Sequence, residues 1–485
     1  MLVGVGTFSE VSRAAQPRCV VKRLRDALHP SRTVTELCRT LRELVVMRAL
    51  KHPALLPCFG AARQDYDVLI TCPEMDCDLA AVLRTPRTRN EMLALTGSVP
   101  SPASSSTTTG SVSSSSRSQA CSRVALIGYQ LLCGLAYLHD CGMIHRDVCP
   151  RNVLVSRSGH VRLADFGLVR PAFLRRTKEE QDVDERSLEW RTLKQSTIGA
   201  SFYAPPDVVL DNKPHSRPAD CWAVGCVLAE MVLPMVECAE AEARAAGAGK
   251  VLQETNLASS TPAEGPIMSR GMPSGSSAPS SPEAFAIALV RCLGAPLLDA
   301  PAAAAGAAVT SSAERTKNQL KMYKPATRTL FEEAAASCRG SRPLLSVHRT
   351  ASLAAAHFDS EIGCPTMDAL LRACRDLLSY DFRQRVTAEG ATKLEAFASL
   401  VSWPLCGVPP TTGVGDSVGD ARCADDSNKE GISAMKMHLC FELEVSAARR
   451  RHRIAGTDID VEMGEESARN RVLAGIEKIV TLAKR

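Results

Sequence analysis

The chain has 485 residues, 45% of them hydrophobic and 4% aromatic, with a formal net charge of +5 from 58 basic and 53 acidic residues. That length fits roughly two to four average domains, or one large two-lobed domain with insertions, and the apolar share is enough for a sizeable core. So small and dispersed a positive excess gives no ground for a nucleic-acid partner, and the few aromatics imply that part of the length is Ser- and Ala-rich filler.

The 19 cysteines are scattered without a repeating Cys-x-x-Cys frame, and neither Cys72/Cys77 nor Cys133/Cys141 has zinc-ligand spacing. No signal peptide opens the chain at Met1, so reduced thiols in the cytoplasm, and in the nucleus besides, are expected. The apolar stretch Cys221–Val236 is interrupted by Glu230 and reads as too short to span a bilayer; a buried helix, and no membrane partner, is expected. The run Arg449-Arg450-Arg451-His452-Arg453 reads as a solvated surface in preference to a localisation or nucleic-acid signal.

Gly4-Val5-Gly6-Thr7-Phe8-Ser9-Glu10-Val11 stands almost at the first residue, which leaves its leading strand short. Glycines at 4 and 6 in a strand–turn–strand let backbone amides approach phosphates closely. Val20-Val21-Lys22 reads as a strand carrying an ammonium. An amphipathic helix follows over about 33–50, with Leu37, Leu41, Leu44, Val45 and Leu50 on its apolar stripe. Glu43 on that helix can reach Lys22; an ordinary surface pair is the alternative.

Further along stand His145-Arg146-Asp147, then Asn152 five residues past the Asp, then Asp165-Phe166-Gly167 thirteen past the Asn. Phosphoryl transfer needs a carboxylate to orient and deprotonate a hydroxyl, plus an amide and a second carboxylate to hold magnesium. Val153-Leu154-Val155 and Val161-Arg162-Leu163 read as two short strands around a turn at Ser158-Gly159-His160. That hairpin places Asn152 and Asp165 at neighbouring strand ends. Helices are expected over 124–141, 220–235, 284–293 and 367–378. The Ser/Thr-rich run 98–121 is expected to be disordered, and the biased stretches 237–281, 302–350 and 409–431 read as insertions or loops.

Together these residues resemble the eukaryotic protein kinases, in their mitogen-activated and cyclin-dependent branch, and most closely the mitogen-activated protein kinases. The resemblance is carried also by Arg39-Thr40-Leu41-Arg42-Glu43, Leu50-Lys51-His52-Pro53, Met75-Asp76-Cys77-Asp78-Leu79 and Tyr129 to His139. Asp165 to Arg170, Asp220 to Cys226 and Leu377 to Arg385 carry it further. Phe441-Glu442-Leu443-Glu444, with the helix-like stretch 467–480, resembles the family's tail that folds back on the small lobe.

The resemblance implies an α+β bilobal fold. A small β-rich lobe with one helix would occupy 1–75, and a larger helical lobe 76–400, with insertions near 86–122, 237–281 and 302–350. A C-terminal extension would follow over 401–485. ATP and Mg2+ are the implied cofactors, and protein substrates and an upstream kinase the implied partners. Lys22, held by Glu43, would bind the α- and β-phosphates beneath Gly4, Val5, Gly6, Ser9 and Val11. Cys72 would be the gatekeeper, the backbone of Glu74 and Met75 would meet adenine, and Asp78 would lie near the ribose. Asp147 would be the catalytic base, Asn152 and Asp165 the metal ligands, and His145 a packing residue.

The pattern is broken at several places. Ser9 stands for the third loop glycine. Cys149 replaces the Lys that neutralises the transferred phosphoryl group, and Arg151, four after Asp147, is the candidate to supply that charge. Ser201-Phe202-Tyr203-Ala204-Pro205-Pro206 stands where the family has Trp-Tyr-Arg-Ala-Pro-Glu, so Pro206 removes the Glu that pairs with Arg385 unless Asp207 takes its place. Ala200 replaces a Thr and Tyr203 an Arg. No Tyr lies between Asp165 and Phe202, yet the arginines that receive a phosphate survive as Arg39, Arg42, Arg146 and Arg170. Ser196 or Thr197, phosphorylated, is the candidate anion, with Thr192 and Ser187 behind them; permanent charge from Glu179, Glu180, Asp182 or Glu185 is the alternative. The expectation is a Ser/Thr protein kinase, the alternative a pseudokinase scaffold that binds nucleotide weakly or not at all.

Overall fold

The computed structural model describes residues 2–5, 9–84, 114–157, 159–171, 200–245, 281–296, 322–341, 343–345, 366–400 and 458–482. Its N-terminal lobe is built on five antiparallel strands: β1 (Leu2–Val5), β2 (Ser9–Arg13), β3 (Cys19–Leu24), β4 (Gly60–Gln64) and β5 (Asp67–Pro73). They lie in the order β1-β2-β3-β5-β4. Alternation along β5 turns Val68, Ile70 and Cys72 inward, each at most 2% exposed. In register, Lys22 faces Val11 on one side and Ile70 on the other.

Helix α1 (Val34–Ala49) is joined to this sheet by the Lys22–Glu43 ion pair. Its start is specified locally: Thr33 accepts from the Glu36 amide, and the Glu36 carboxylate accepts from the Thr33 amide, a reciprocal capping box. Leu37, Leu41 and Leu44 are fully buried, so the predicted stripe is the packed one.

The chain passes through β6 (Cys77–Asp78) and α2 (Leu79–Arg84) into the larger lobe. There α3 (Ser114–Asp140) leads to β7 (Met143–Ile144), the hairpin β8 (Val153–Val155) and β9 (Val161–Leu163), and β10 (Arg170–Pro171). The helices after these are α4 (Pro206–Val209), α5 (Arg217–Ala245), α6 (Pro282–Leu293), α7 (Pro325–Ser337), α8 (Met367–Leu377) and α9 (Ala388–Ala391). The last helix, α10 (Asp458–Leu482), returns to the small lobe.

α5 is the axis of the large lobe, with Trp222, Val224, Cys226, Val227 and Val232 all fully buried. Gly225 permits the close approach of α8: a Cβ there would stand 2.8 Å from Leu378 Cγ and 2.9 Å from Leu377 Cβ.

Three boundaries differ from the sequence reading. α3 begins at Ser114, inside the run expected to be disordered, because no Pro or Gly interrupts 111–120 and Ser is only mildly unfavourable in a helix. α5 continues to Ala245, through Glu- and Ala-rich residues assigned to an insertion. α7 lies wholly within the stretch 302–350 read as an insertion, and is core: Phe331 is fully buried, edge-on to Tyr323 at 5.6 Å and Tyr380 at 5.4 Å. In the last two places a composition read as filler is rich in Ala and Glu, good helix formers. The stretches 409–431 and 441–444 lie outside the described residues.

The apolar segment 221–236 is also longer as a helix than expected. Arg217–Glu240 and Ala120–Asp140 are each long and apolar enough to cross a membrane, but 78% and 61% of their apolar windows are buried inside this fold. Both are core helices here.

Candidate active site

The catalytic-loop sequence is held from below by a single carboxylate. Asp220, at the start of α5, accepts the His145 amide at 2.7 Å, the Arg146 amide at 2.8 Å and His139 Nε2 at 2.9 Å. Burial alone would raise its pKa, but these donors outweigh burial and hold it below the usual carboxylate range. Arg146 takes a left-handed conformation (φ 72°), which the two amide bonds to Asp220 fix in place. His145 is fully buried, with Nε2 3.2 Å from the Ala164 carbonyl and its ring edge-on to Phe166 at 5.5 Å. Burial lowers its pKa, so it is a neutral packing group.

Asp147 follows, at the mouth of the loop. Asn152 Nδ2 donates to the Asp147 carbonyl at 2.8 Å and to its Oδ2 at 2.9 Å. The Ala164 amide donates to the Asn152 carbonyl at 2.8 Å, which ties the end of β9 to the start of β8. Asp165 is therefore delivered beside Asn152, as the hairpin spacing predicts. It too is left-handed (φ 61°), and its Oδ1 accepts the Gly167 amide at 3.4 Å. Burial, and then the charge of Asp165, push the Asp147 carboxyl up to about 7 against the opposing pull of Asn152, Arg151 and Arg39.

From the small lobe, Lys22 Nζ meets Glu43 Oε1 at 2.5 Å, with side-chain exposures of 21% and 8%. Burial disfavours the ammonium, but Glu43 and then Asp165 outweigh it and raise the Lys22 pKa. The same Asp165 thus acts electrostatically on Lys22 and on Asp147. Asp165 thus links, through its charge, the ammonium of Lys22 to the carboxylate of Asp147, which Asn152 holds by hydrogen bonds.

The remaining predicted residues distribute unevenly. Cys72 is buried on β5, its thiol pushed up to about 12 chiefly by burial and therefore neutral. The Glu74 amide already donates to the Arg18 carbonyl at 2.8 Å, and its carboxylate pairs with Arg13 at 2.8 Å. Its amide is thus committed within the lobe and not to a base. Met75 lies in the two-lobe linker, partly buried against the core. Asp78 caps α2 by accepting the Ala81 amide at 2.7 Å. On the strands, Gly4 pairs with Val11, Val5 with Glu10, and Ser9 with Leu24; Gly6 lies outside the described residues.

Cys149 has a thiol pushed up to about 12, by burial first and then by Asp147. No cation occupies that position; Arg151, exposed, lies close enough to Asp147 to lower its pKa. Tyr203 donates its hydroxyl to Glu230 at 3.2 Å, a pair that nothing in the sequence spacing signals. Asp207 does take the place left by Pro206: it meets Arg385 at 3.0 Å.

Among the four arginines, Arg42 is 1% exposed and donates Nη1 to the Gly167 carbonyl at 2.5 Å, so it braces the metal loop from α1. Arg39 stands beside Gly167 as well. Arg170 pairs across the β10–β7 ladder with Ile144, two residues before Arg146. Ser196, Thr197, Thr192, Ser187 and the acidic residues 179–185 lie outside the described residues.

Residues 1–264 match the family described as protein kinase domain. The chain is similar to the sporulation-specific mitogen-activated protein kinase SMK1 of Saccharomyces cerevisiae, 37% identical over 102 residues, 21% of this chain and 24% of that protein. It is also similar to the mitogen-activated protein kinase sma-5 of Caenorhabditis elegans, 29% identical over 239 residues, 48% of this chain and 40% of that protein. Cyclin-dependent kinase 17 of the same organism is 27% identical over 233 residues, 47% of this chain and 28% of that protein. Alignments thus span between about a quarter and about a half of the length of the curated relatives. The bilobal architecture and these matches agree: the chain belongs to the protein kinase family, as a divergent member of its mitogen-activated and cyclin-dependent branch.

Proposed function

We propose that this protein transfers the γ-phosphate of ATP to Ser or Thr hydroxyls of protein substrates. The observation that carries the reading is the Lys22–Glu43 pair, whose ammonium feels the charge of the same Asp165 that raises Asp147, itself bonded to Asn152. Lys22 would hold the α- and β-phosphates, Glu43 would fix the ammonium, and Asp147 would orient the acceptor hydroxyl and take its proton.

The residues present fit a magnesium ion. Asp165 offers carboxylate oxygen, and Asn152, with its amide nitrogen committed to Asp147, offers its carbonyl oxygen, an all-oxygen set suited to a hard cation. Magnesium bound there would screen the charge of the phosphate oxygens. Arg151, in place of the Lys lost to Cys149, would neutralise charge on the transferred group. Adenine would sit against Met75, beside the neutral Cys72 thiol. A phosphorylated Ser196 or Thr197, the product of an upstream kinase, would meet Arg39, Arg146 and Arg170.

Transfer of radiolabel from ATP to a generic basic-protein substrate tests this, with Asp147→Asn as the control that should abolish it. The neutral thiol of Cys149 favours a second reading, a scaffold that binds nucleotide without turning it over. Binding of Mg-ATP, lost in Lys22→Met, with no transfer above the Asp147→Asn level, would select that reading. No binding at all would remove the first.

A further inference from the structure

From Ala219 to Leu233, α5 runs through the large lobe with every residue buried except Glu230. A carboxylate at the single opening of so apolar a run costs desolvation unless it is bonded. Tyr203 supplies one such bond, its hydroxyl donating to Glu230 Oε2 at 3.2 Å. Tyr203 ends the short 3-10 turn Ala200–Tyr203, which packs on α5, and is itself half-buried against the core. Its pKa is raised by burial first, and then by Glu230 and Cys149. The Cys149 thiol in turn feels Asp147. Asp147, Cys149, Tyr203 and Glu230 are therefore neighbours in turn, and the first of them is the base proposed for the acceptor hydroxyl.

Two of these positions depart from the family's pattern in the same direction. At 149 a thiol stands for a lysine, and at 203 a phenol stands for an arginine. Both groups are neutral, since burial is the first cause that raises each of them. Relative to that pattern the neighbourhood has lost two positive charges, and it holds the carboxylates of Asp147 and Glu230. Arg151 can stand in for one of the lost charges; the other is the one beside Glu230. An arginine at 203 would neutralise that carboxylate from within the chain. A phenol fixes it in place and leaves it negative.

We propose that Glu230, held by Tyr203, is a specificity residue that receives a Lys or Arg side chain of the acceptor protein, close to the Ser or Thr to be phosphorylated. The inference rests on the proposed phosphotransfer for the identity of the acceptor. A half-buried carboxylate suits the role, because charge-assisted hydrogen bonds are the stronger ones and a guanidinium can make two of them at once. Discrimination follows from the same charge: a cation is attracted to the opening, and an acidic side chain is repelled from it.

The test uses the full chain with Ser peptides in which a single Arg is walked along the flanking positions, and an Ala-flanked peptide as reference. At one Arg position at least, kcat/KM should exceed the reference about tenfold, the size expected of a charge-assisted hydrogen bond. That ratio should shrink as salt rises. Glu230→Gln should bring it close to one, and so should Tyr203→Arg, which places a cation against the carboxylate. Tyr203→Phe, which changes no charge, should keep much of it. Each ratio is internal to one variant, so a loss of folded protein cancels. No preferred Arg position in the wild type, or a ratio that survives both Glu230→Gln and Tyr203→Arg, would overturn the proposal. Absence of transfer to every peptide would sink the proposed function instead, and fluorescence anisotropy of the labelled peptides would then decide. Tighter binding of an Arg peptide than of the reference, lost in Glu230→Gln, would uphold Glu230 as the recognition residue; equal binding of the two in the wild type would dismiss it.

Discussion

Asp207 Oδ1 lies 3.0 Å from Arg385 Nη2, with side-chain exposures of 3% and 0%. The carboxylate has moved one residue along the chain relative to the position where Pro206 stands, and the large lobe has kept its buried ion pair. Arg385 is satisfied on every side: Nε donates to the Ser379 carbonyl at 3.1 Å, Nη1 to the Pro218 carbonyl at 2.9 Å, and the guanidinium stacks over Trp222 at 4.9 Å. Pro206 is well placed as the first residue of α4, where its missing N–H is no loss.

Removing one partner of such a pair leaves an uncompensated buried charge. Asp207→Ala should therefore lower stability by about 3–5 kcal/mol. Asp207→Asn, which keeps an acceptor oxygen, should lose less. The urea midpoint should fall with little change in the slope of the transition. A midpoint unmoved by Asp207→Ala would mean that the pair holds nothing together.

The raised carboxyl of Asp147 predicts a pH profile. With its pKa at about 7, chiefly through burial and Asp165, the base is half protonated near neutrality. The rate constant kcat/KM should rise about tenfold per pH unit below pH 7 and level off above it. Arg151→Ala removes a charge that lowers this pKa, so the midpoint should move to higher pH. Stability should run the other way. The folded-state pKa lies above the ordinary 3.8, so this group's contribution is fully present below about pH 4 and lost as the pH rises through about 7. Asp147→Asn, which never ionises, should melt above wild type at pH 8, with the gap closing toward pH 5.

Much of the site was legible because its chemistry is carried at fixed spacings by local structure. The hairpin between Asn152 and Asp165 follows from two short apolar runs and a Gly turn, and its strand-end contact follows from the hairpin. The stripe of α1 placed Glu43 within reach of Lys22. What was not legible depends on contacts between distant segments, such as Arg18 to Glu74, Tyr203 to Glu230 and Arg469 to His29. Composition also misled: Ala-rich stretches read as filler, yet Phe331 on α7 anchors an aromatic cluster. The resemblance groups Arg42 with the anion-receiving arginines; its burial comes from packing, which sequence does not show.

The arginines predict a requirement for an anion. Arg39 stands beside Gly167 of the metal loop, and Arg170 pairs across the β10–β7 ladder with Ile144, two residues before Arg146. The resemblance implies that these arginines receive a phosphate, whose charge would offset theirs. Ser196→Ala with Thr197→Ala should reduce phosphotransfer at least tenfold, a loss of the size expected from one or two charge-assisted hydrogen bonds. Mass spectrometry of the active protein should find phosphate on one of the two residues. Full activity in the double variant would transfer the role to the acidic residues 179–185.

Replacement of the loop lysine by Cys149 makes the last prediction the sharpest about chemistry. A neutral thiol contributes no charge to the transferred group, and its pKa of about 12 keeps it neutral throughout the working range. Arg151 acts on Asp147 more strongly than Arg39 does. If it stabilises charge that develops only during transfer, Arg151→Ala should lower kcat by about 10²-fold while KM for ATP changes little. Cys149→Ala should leave kcat near wild type, since no charge is removed. Cys149→Lys should recover much of the rate in the Arg151→Ala background, because it restores a cation at the position where the family keeps its lysine. A loss in Arg151→Ala confined to KM, or a Cys149→Lys substitution without effect in that background, would show that the guanidinium only binds substrate.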